Sequence, residues 1–485
     1  MDTPPTDSTP AQTKPLCVDL DGTLVATDTL AESFLGLLKT APWKVVVALF
    51  ALMRGRASLK RYMAQAAPVD PATLPYRDEV LEEIRRARDD GRQVFLVTAS
   101  NQVTADAVGA HLGVFDEAIG SQGEKNLKAR RKAEFLASRF GAGGFQYVGD
   151  SSADLPVWKA ANEAIMVAPS PGTRKRAEQL VPKVTVLSER PNKLKAAVKE
   201  LRPHQWAKNI LLFVPLYFSH QYTDLSLVFT AVMAFFSFSF CASSIYVLND
   251  LIDLPSDRQH RSKSKRPLAA GTLSIPGGIA LSVASLALAM TLAVVFVNPK
   301  FVLALLGYVA LTTAYTFVLK QKMIIDVLTL ASLFTYRVMS GGVAVDVELS
   351  PWLLAFSIFF FTSLAFVKRY AELIQIKGDP LQSLKGRNYV PADIPIITSA
   401  GPAAGLLAVL VFALYINSPA MVMYYPRPEA LWGICLILVY WITRIWFLAA
   451  RDEMHDDPVL FAVKDKISIA AGVLAVACLL VARYG

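Results

Sequence analysis

Beyond Arg202 the chain consists mostly of apolar runs about the length of a bilayer's hydrocarbon core. Buried in lipid, such runs must satisfy their backbone groups internally, which restricts this half to membrane-spanning helices. Runs at 205–222, 226–248, 275–297, 301–319, 324–344, 352–370, 402–417, 430–449 and 467–483 predict about nine spans. The residues before Arg202 have a soluble character, so the 53% hydrophobic content averages two unlike halves. A two-domain protein follows: a tail at 1–14, a soluble α/β domain at 15–187, a basic linker at 188–202 and an all-α polytopic domain at 203–485.

The net charge is +9, and its distribution matters more than its size. Bases crowd the loops after the second, fourth, sixth and eighth predicted spans: Arg258, Arg261, Lys263, Lys265 and Arg266, then Lys320 and Lys322, then Lys368, Arg369, Lys377, Lys385 and Arg387, then Arg451 and Lys464. The alternate loops carry only Lys300 and Arg427. By the positive-inside rule the base-rich loops are cytoplasmic. Met1 to Lys14 lacks the apolar core of a signal peptide, which puts the soluble domain on the same side of an inner or plasma membrane. Positive-inside retention accounts for the basic balance without a nucleic-acid partner. The four cysteines are scattered, which disfavours disulfides and zinc.

In the soluble domain, the run Leu16 to Leu24 is a short apolar strand ending in Asp19, Asp21 and a glycine turn. Two further apolar strands end in Thr98-Ala99-Ser100 and in Gly149-Asp150-Ser151-Ser152-Ala153-Asp154. Strands of a parallel sheet present ligands beyond their carboxyl ends, so these ends gather carboxylates and a hydroxyl at one edge. That set suits phosphoryl transfer, with one carboxylate as nucleophile, one as acid/base and others on Mg²⁺. The pattern resembles the haloacid-dehalogenase-like phosphatase superfamily, whose first motif is matched at Asp19, Asp21, Gly22 and Thr23. The resemblance implies Asp19 as nucleophile, Asp21 as acid/base, Thr98 as the second-motif hydroxyl and Lys132 as the lysine, ahead of Lys125 or Lys128. It implies metal ligation by Asp19, Asp21, Asp150 and Asp154. The insertion between Asp21 and Thr98 then reads as a helical cap. Its apolar stretch Phe34 to Met53, followed by Arg54, Arg56, Lys60 and Arg61, suits cap core, with the membrane surface as the alternative.

The second predicted span ends in Asn249-Asp250, with Asp253 three residues further on and Asp257 four beyond that. This spacing places three carboxylates on one face of a helix end, bent by Pro255. Carboxylates at a membrane boundary need cations, and Mg²⁺ with a diphosphate is a natural occupant. Lys263, Lys265 and Arg266 follow to hold phosphate charge. The stretch resembles the first Asp-rich motif of the UbiA-type prenyltransferase superfamily. Where aromatic prenyltransferases of that superfamily carry a second acidic motif, this chain has Lys368, Arg369 and Glu372. That stretch and the entry segment Arg202 to Asn209 resemble the decaprenyl-phosphate phosphoribosyltransferase branch.

The resemblance implies Mg²⁺, phosphoribosyl diphosphate as donor and a polyprenyl phosphate as acceptor. Charge matching to two anionic substrates points to Lys208, Lys265, Arg266, Lys368 and Arg369 as their binding groups, with Asn249 and Glu372 from the two motif stretches. Tyr315 and Arg337 join them as polar residues inside apolar spans. Arg444 and the acidic group Asp452, Glu453, Asp456, Asp457 and Asp465 are weaker candidates. The fused phosphatase would remove the 5-phosphate of the product. One alternative is an aromatic prenyltransferase using an isoprenyl diphosphate, and another is a non-catalytic membrane anchor for the phosphatase. A homo-oligomer is left open.

Overall fold

The computed structural model describes residues 14–122, 127–376, 387–418, 424–454 and 457–485. Lys125, Lys377, Lys385 and Asp456 lie outside the described residues. The chain divides into two compact units: Met1–Leu201 together with Val247–Leu281, and Arg202–Tyr246 together with Ser282–Gly485.

The first unit opens with strand β1 (Leu16–Val18) and helices α1 (Thr29–Thr40), α2 (Val45–Met53), α3 (Arg56–Ala66) and α4 (Asp78–Asp89). It continues through β2 (Val94–Asn101), α5 (Gln102–Leu112), β3 (Glu117–Ser121), α6 (Arg130–Phe140), β4 (Gln146–Gly149), α7 (Leu155–Ala161), β5 (Ala164–Val167), α8 (Pro171–Leu180), β6 (Val184–Ser188) and α9 (Lys193–Glu200). The six strands form a parallel sheet of order β3-β2-β1-β4-β5-β6. The order reverses between β1 and β4, the switch point at which such sheets open a crevice for ligands. β1 is buried throughout, as a central parallel strand requires.

Between α1 and α3 the expected cap core forms only in part. Leu37, Ala48, Met63 and Ala67 make a small cluster. The rest of α2 turns outward, with Val46, Val47, Leu49, Phe50, Leu52 and Met53 all exposed.

The segment Val247–Leu281 belongs to this unit. It holds α12 (Leu254–Gln259) and the loop after it. Val247, Leu251, Leu254, Leu268, Ala269 and Leu273 bury a common core with Ala196 of α9, against which Ala31 and Leu35 of α1 pack. Arg258 donates to Glu32 (2.6 Å), to the Thr73 carbonyl (3.2 Å) and to the Ala269 carbonyl (3.2 Å). Both members of the Arg258–Glu32 pair are under a tenth exposed. Gly271, at φ +69°, passes so close to Ala26 that a Cβ there would sit 2.3 Å from its carbonyl oxygen. Only glycine accommodates both that φ and that contact.

Eight helices among the described residues are long and apolar enough to cross a membrane. After the short α10 (Val214–Phe218) come α11 (Leu225–Ile252), α13 (Ile275–Phe296), α14 (Pro299–Phe317), α15 (Ile325–Ala344), α16 (Pro351–Leu373), α17 (Ile394–Ile416), α18 (Trp432–Ala450), the short α19 (Pro458–Lys464) and α20 (Lys466–Tyr484). The expected span at 205–222 is instead a series of 3-10 turns over Pro203–Phe213 followed by α10. His204, Lys208 and Asn209 leave an uninterrupted apolar run of only Ile210 to Phe218, too short to cross.

Candidate functional site

The phosphatase constellation assembles at the carboxyl edge of the sheet. Asp19 follows β1, Thr98 and Ser100 lie in β2, and Asp150 follows β4. One oxygen from each of Asp19, Asp150 and Asp154 lies within 4.8 Å of the others, a spacing suited to a hard divalent cation. Gly22, at φ +78°, permits the approach of Asp150, whose Oδ2 would lie 2.5 Å from a Cβ placed there. Burial pushes Asp150 up to about 7 and Asp19 up to about 6, with the neighbouring carboxylates adding to both shifts. Lys132 on α6 opposes this for Asp19. Such crowding of acids is relieved by a divalent ion, so these residues fit one.

Lys132 is buried and donates to Asp19 Oδ1 at 2.8 Å and to the Tyr147 hydroxyl at 2.7 Å. Tyr147 in turn donates to Asp154 at 3.0 Å. This tyrosine carries no motif signal in the sequence. Asp21 departs from the expected metal set: its oxygens accept from the Thr29 amide (2.7 Å) and the Ser100 hydroxyl (2.5 Å). That fixes it beside the site, as an acid/base requires. Thr98 is fully buried, its hydroxyl accepting from the Ser100 amide at 3.0 Å. From the cap, Lys60 of α3 donates to the Ala99 carbonyl at 2.7 Å.

In the same unit, Asp250 near the end of α11 and Asp257 on α12 converge on one guanidinium nitrogen of Arg266, at 3.0 and 2.5 Å. Lys263 stands 3.8 Å from Asp257. Burial raises Asp257 above its usual range, and Arg266 works against that shift. Two carboxylates gathered on one cationic nitrogen suit an Mg²⁺ ion that also takes phosphate oxygens. Asp253 sits at the break between α11 and α12. Asn249 is half-buried beside Asp250, and Lys265 is exposed.

The second unit holds two further charge clusters. Lys208 and Lys368 both reach Asp457 Oδ2, at 2.8 and 3.5 Å. Burial would raise Asp457, yet the two lysines hold it well below the usual carboxylate range. Arg369 of α16 and Asp326 of α15, both fully buried, pair at 3.1 Å. Arg369 also bonds Glu372, which Arg387 contacts at 2.5 Å. Tyr315 donates to Asp326 at 2.8 Å. Asp326 and Arg387 were not singled out for this site by sequence, although both flank it. Arg337, expected on substrate, is held instead in the helix core: it donates to Asn209, to the Leu333 carbonyl and to Tyr308, and packs over Phe238 and Phe334. Arg444 pairs bidentately with Asp465 (2.7 and 3.1 Å).

Comparison with known proteins matches each half to its own family and finds a relative that spans both. The model of the UbiA prenyltransferase family covers residues 210–481, and that of the haloacid dehalogenase-like hydrolases covers residues 16–159. An uncharacterized protein of Sinorhizobium fredii, y4nM, is 38% identical over 95% of this chain and 89% of its own length. A decaprenyl-phosphate phosphoribosyltransferase of Mycolicibacterium smegmatis is 36% identical over 57% of this chain and 88% of its own. A UbiA homolog from Archaeoglobus fulgidus bound to GPP and Mg²⁺ aligns at a TM-score of 0.45 with 17% identity, over 59% of this chain and 99% of that one. The chain belongs to the UbiA prenyltransferase family and carries a haloacid dehalogenase-like hydrolase domain before it. It is a multi-pass membrane enzyme with a transferase half and a hydrolase half, both of families that typically depend on a divalent metal.

Proposed function

We propose that the membrane half transfers 5-phosphoribose from phosphoribosyl diphosphate to a polyprenyl phosphate, and that the phosphatase half removes the 5-phosphate of the product on the cytoplasmic side. The reading is carried by Lys368 and Arg369, which stand where an aromatic prenyltransferase would present a second acidic motif, with Lys208 of the entry segment beside Lys368 on Asp457. A phosphate acceptor needs such cations, and a neutral aromatic ring does not. The similarity to phosphoribosyltransferases across 88% of one such enzyme supports the same choice.

In the transfer, the bond from ribose C1 to the diphosphate breaks and the electron pair leaves with the diphosphate. A phosphate oxygen of the acceptor forms the new bond to C1. Bound metal, for which Mg²⁺ is the expected ion, neutralises phosphoryl oxygens in both halves. Asp250 and Asp257 would hold that metal in the transferase half, and Arg266 beside them would grip the diphosphate. Lys208 and Lys368 turn from Asp457 to the acceptor phosphate. In the hydrolase half Asp19 attacks phosphorus and Lys132 offsets the charge on the phosphoryl oxygens. Asp21 gives a proton to the departing ribose oxygen, and water then cleaves the acyl phosphate.

The test uses full-length protein in detergent with Mg²⁺, a polyprenyl phosphate and radiolabelled phosphoribosyl diphosphate. Label should enter the lipid extract. An absence of label there, with transfer from an isoprenyl diphosphate to a phenolic acceptor instead, would turn the assignment to an aromatic prenyltransferase.

A further inference from the structure

The cap helix α2 is apolar on every side. Only Ala48 among its nine residues is buried, and Phe50 and Met53 are 63% and 82% exposed. Trp43, just before it, is 70% exposed. A helix hydrophobic all round is normally enclosed, by protein or by lipid. At nine residues it cannot span a bilayer, which takes about 20.

Its surroundings identify the enclosing medium. From Ser33 to Val69 there is no acidic residue, while Lys39, Lys44, Arg54, Arg56, Lys60 and Arg61 supply six bases. Of these, Lys39, Lys44, Arg54 and Arg61 are exposed. An apolar helix bordered by bases is the composition that settles at an anionic lipid surface. The helix also starts beside the ends of two membrane spans. Ala31 and Leu35 of α1 pack against the core that holds Val247 and Leu251 of α11, with Ile275 and Leu281 of α13. Lys39 donates to the carbonyl of Ile252, the last residue of α11, at 3.3 Å. Six residues later α2 begins, so it emerges at the depth where those spans leave the hydrocarbon.

We infer that α2 is a membrane-inserting helix, seating the phosphatase cap in an anionic bilayer surface so that the site below receives a phosphate carried on a lipid. The substrate clause rests on the proposed function; the insertion does not. The next helix, α3, delivers Lys60 to the Ala99 carbonyl at the end of the phosphatase strand. A cap anchored through α2 therefore holds its own cation over the catalytic edge.

The test uses full-length protein in liposomes of phosphatidylcholine and phosphatidylglycerol. Cys17, Cys241 and Cys435 are buried, so Cys478→Ser leaves a background for single labels. A bimane placed through Phe50→Cys should lose at least about half its fluorescence to brominated acyl chains, while one at Glu178→Cys on the exposed face of α8 should lose none. A paired assay uses a long-chain alkyl ribose 5-phosphate embedded in the vesicles, and p-nitrophenyl phosphate in solution. Val47→Asp combined with Phe50→Asp should lower hydrolysis of the anchored substrate at least tenfold, with the soluble one within twofold. Absence of quenching at Phe50→Cys overturns the insertion: a label open to aqueous iodide means a bare surface, and one shielded from iodide means a protein partner. Quenching with no cleavage of the anchored phosphate by the unmutated enzyme keeps the insertion and removes the assigned phosphatase substrate.

Discussion

The phosphatase edge and the end of α11 are both built from aspartates near a cation, yet they are balanced in opposite ways. At the phosphatase edge Asp19, Asp150 and Asp154 face one another, with Lys132 opposing Asp19 and Arg77 opposing Asp150. At the end of α11, Asp250 and Asp257 share Arg266 and have Lys263 close by. The first arrangement is short of positive charge before any ligand arrives and is ready for a metal. The second is already compensated, so a ligand must bring enough charge of both signs to rearrange it. A metal–diphosphate does so, whereas a bare metal competes with a guanidinium.

The largest effects should separate the two sites. Asp19→Asn is expected to lower phosphatase turnover by about 10³-fold or more, as loss of a nucleophile does. Transfer should persist, and a more acidic lipid should accumulate on chromatography. Asp250→Asn should lower transfer by about 10²-fold or more while hydrolysis of p-nitrophenyl phosphate is kept. If each substitution silenced both activities, the contrast would collapse.

A smaller effect concerns stability. Arg369→Ala leaves the buried Asp326 to Tyr315 and to Arg387 3.9 Å away, a loss of up to about 3–5 kcal/mol, read as a lowered midpoint in thermal unfolding in detergent. Arg369→Met with Asp326→Leu should recover much of the midpoint without recovering transfer. Recovery of both would make the pair purely structural.

The smallest effect is a pH trend confined to the phosphatase edge. Asp19 and Asp150, raised to about 6 and about 7 chiefly by burial, bind protons more tightly folded than unfolded. Their contribution to the stability of chelated protein is therefore fully present below their unfolded values near 4. It is lost as pH rises toward 7. Protection of the β1 and β4 amides from hydrogen exchange should decline over that interval in EDTA. Saturating Mg²⁺ should flatten the trend, and its own affinity should weaken as pH falls below about 7. A trend unchanged by metal would dissociate these carboxylates from the metal site.

Much of this was readable from sequence because the signal was local. Asp19 and Asp21 share one loop, Asp150 and Asp154 another, and the eight spans announce themselves by length. The residues that escaped are partners across the fold. Asp326 stands alone at the head of an apolar helix and gains meaning only from Arg369, 43 residues away. Tyr147 looks like ordinary strand filling until Lys132 and Asp154 meet its hydroxyl. Arg337 misled for the converse reason: a charge in a span suggested a ligand, while Asn209 and Tyr308 had already satisfied it. The outward turn of α2 was hidden because apolar composition reads the same whether its cover is protein or lipid.

The close passage of Gly271 against Ala26, with Arg258 anchored on Glu32, bears on how such a gene can change. Ribosomes complete the hydrolase sequence well before they reach the segment that packs against it, so the nascent domain carries an unfinished surface until α11 and the loop after it have been made. A stop codon in the linker would fix that surface permanently, leaving Glu32 without Arg258 and Leu35 without its apolar cover. Lineages that later separated the two activities into independent genes would first need new residues on both faces. The fusion is thereby protected against simple reversal, and a mutation that empties the cell of one activity by unfolding this contact should empty it of the other.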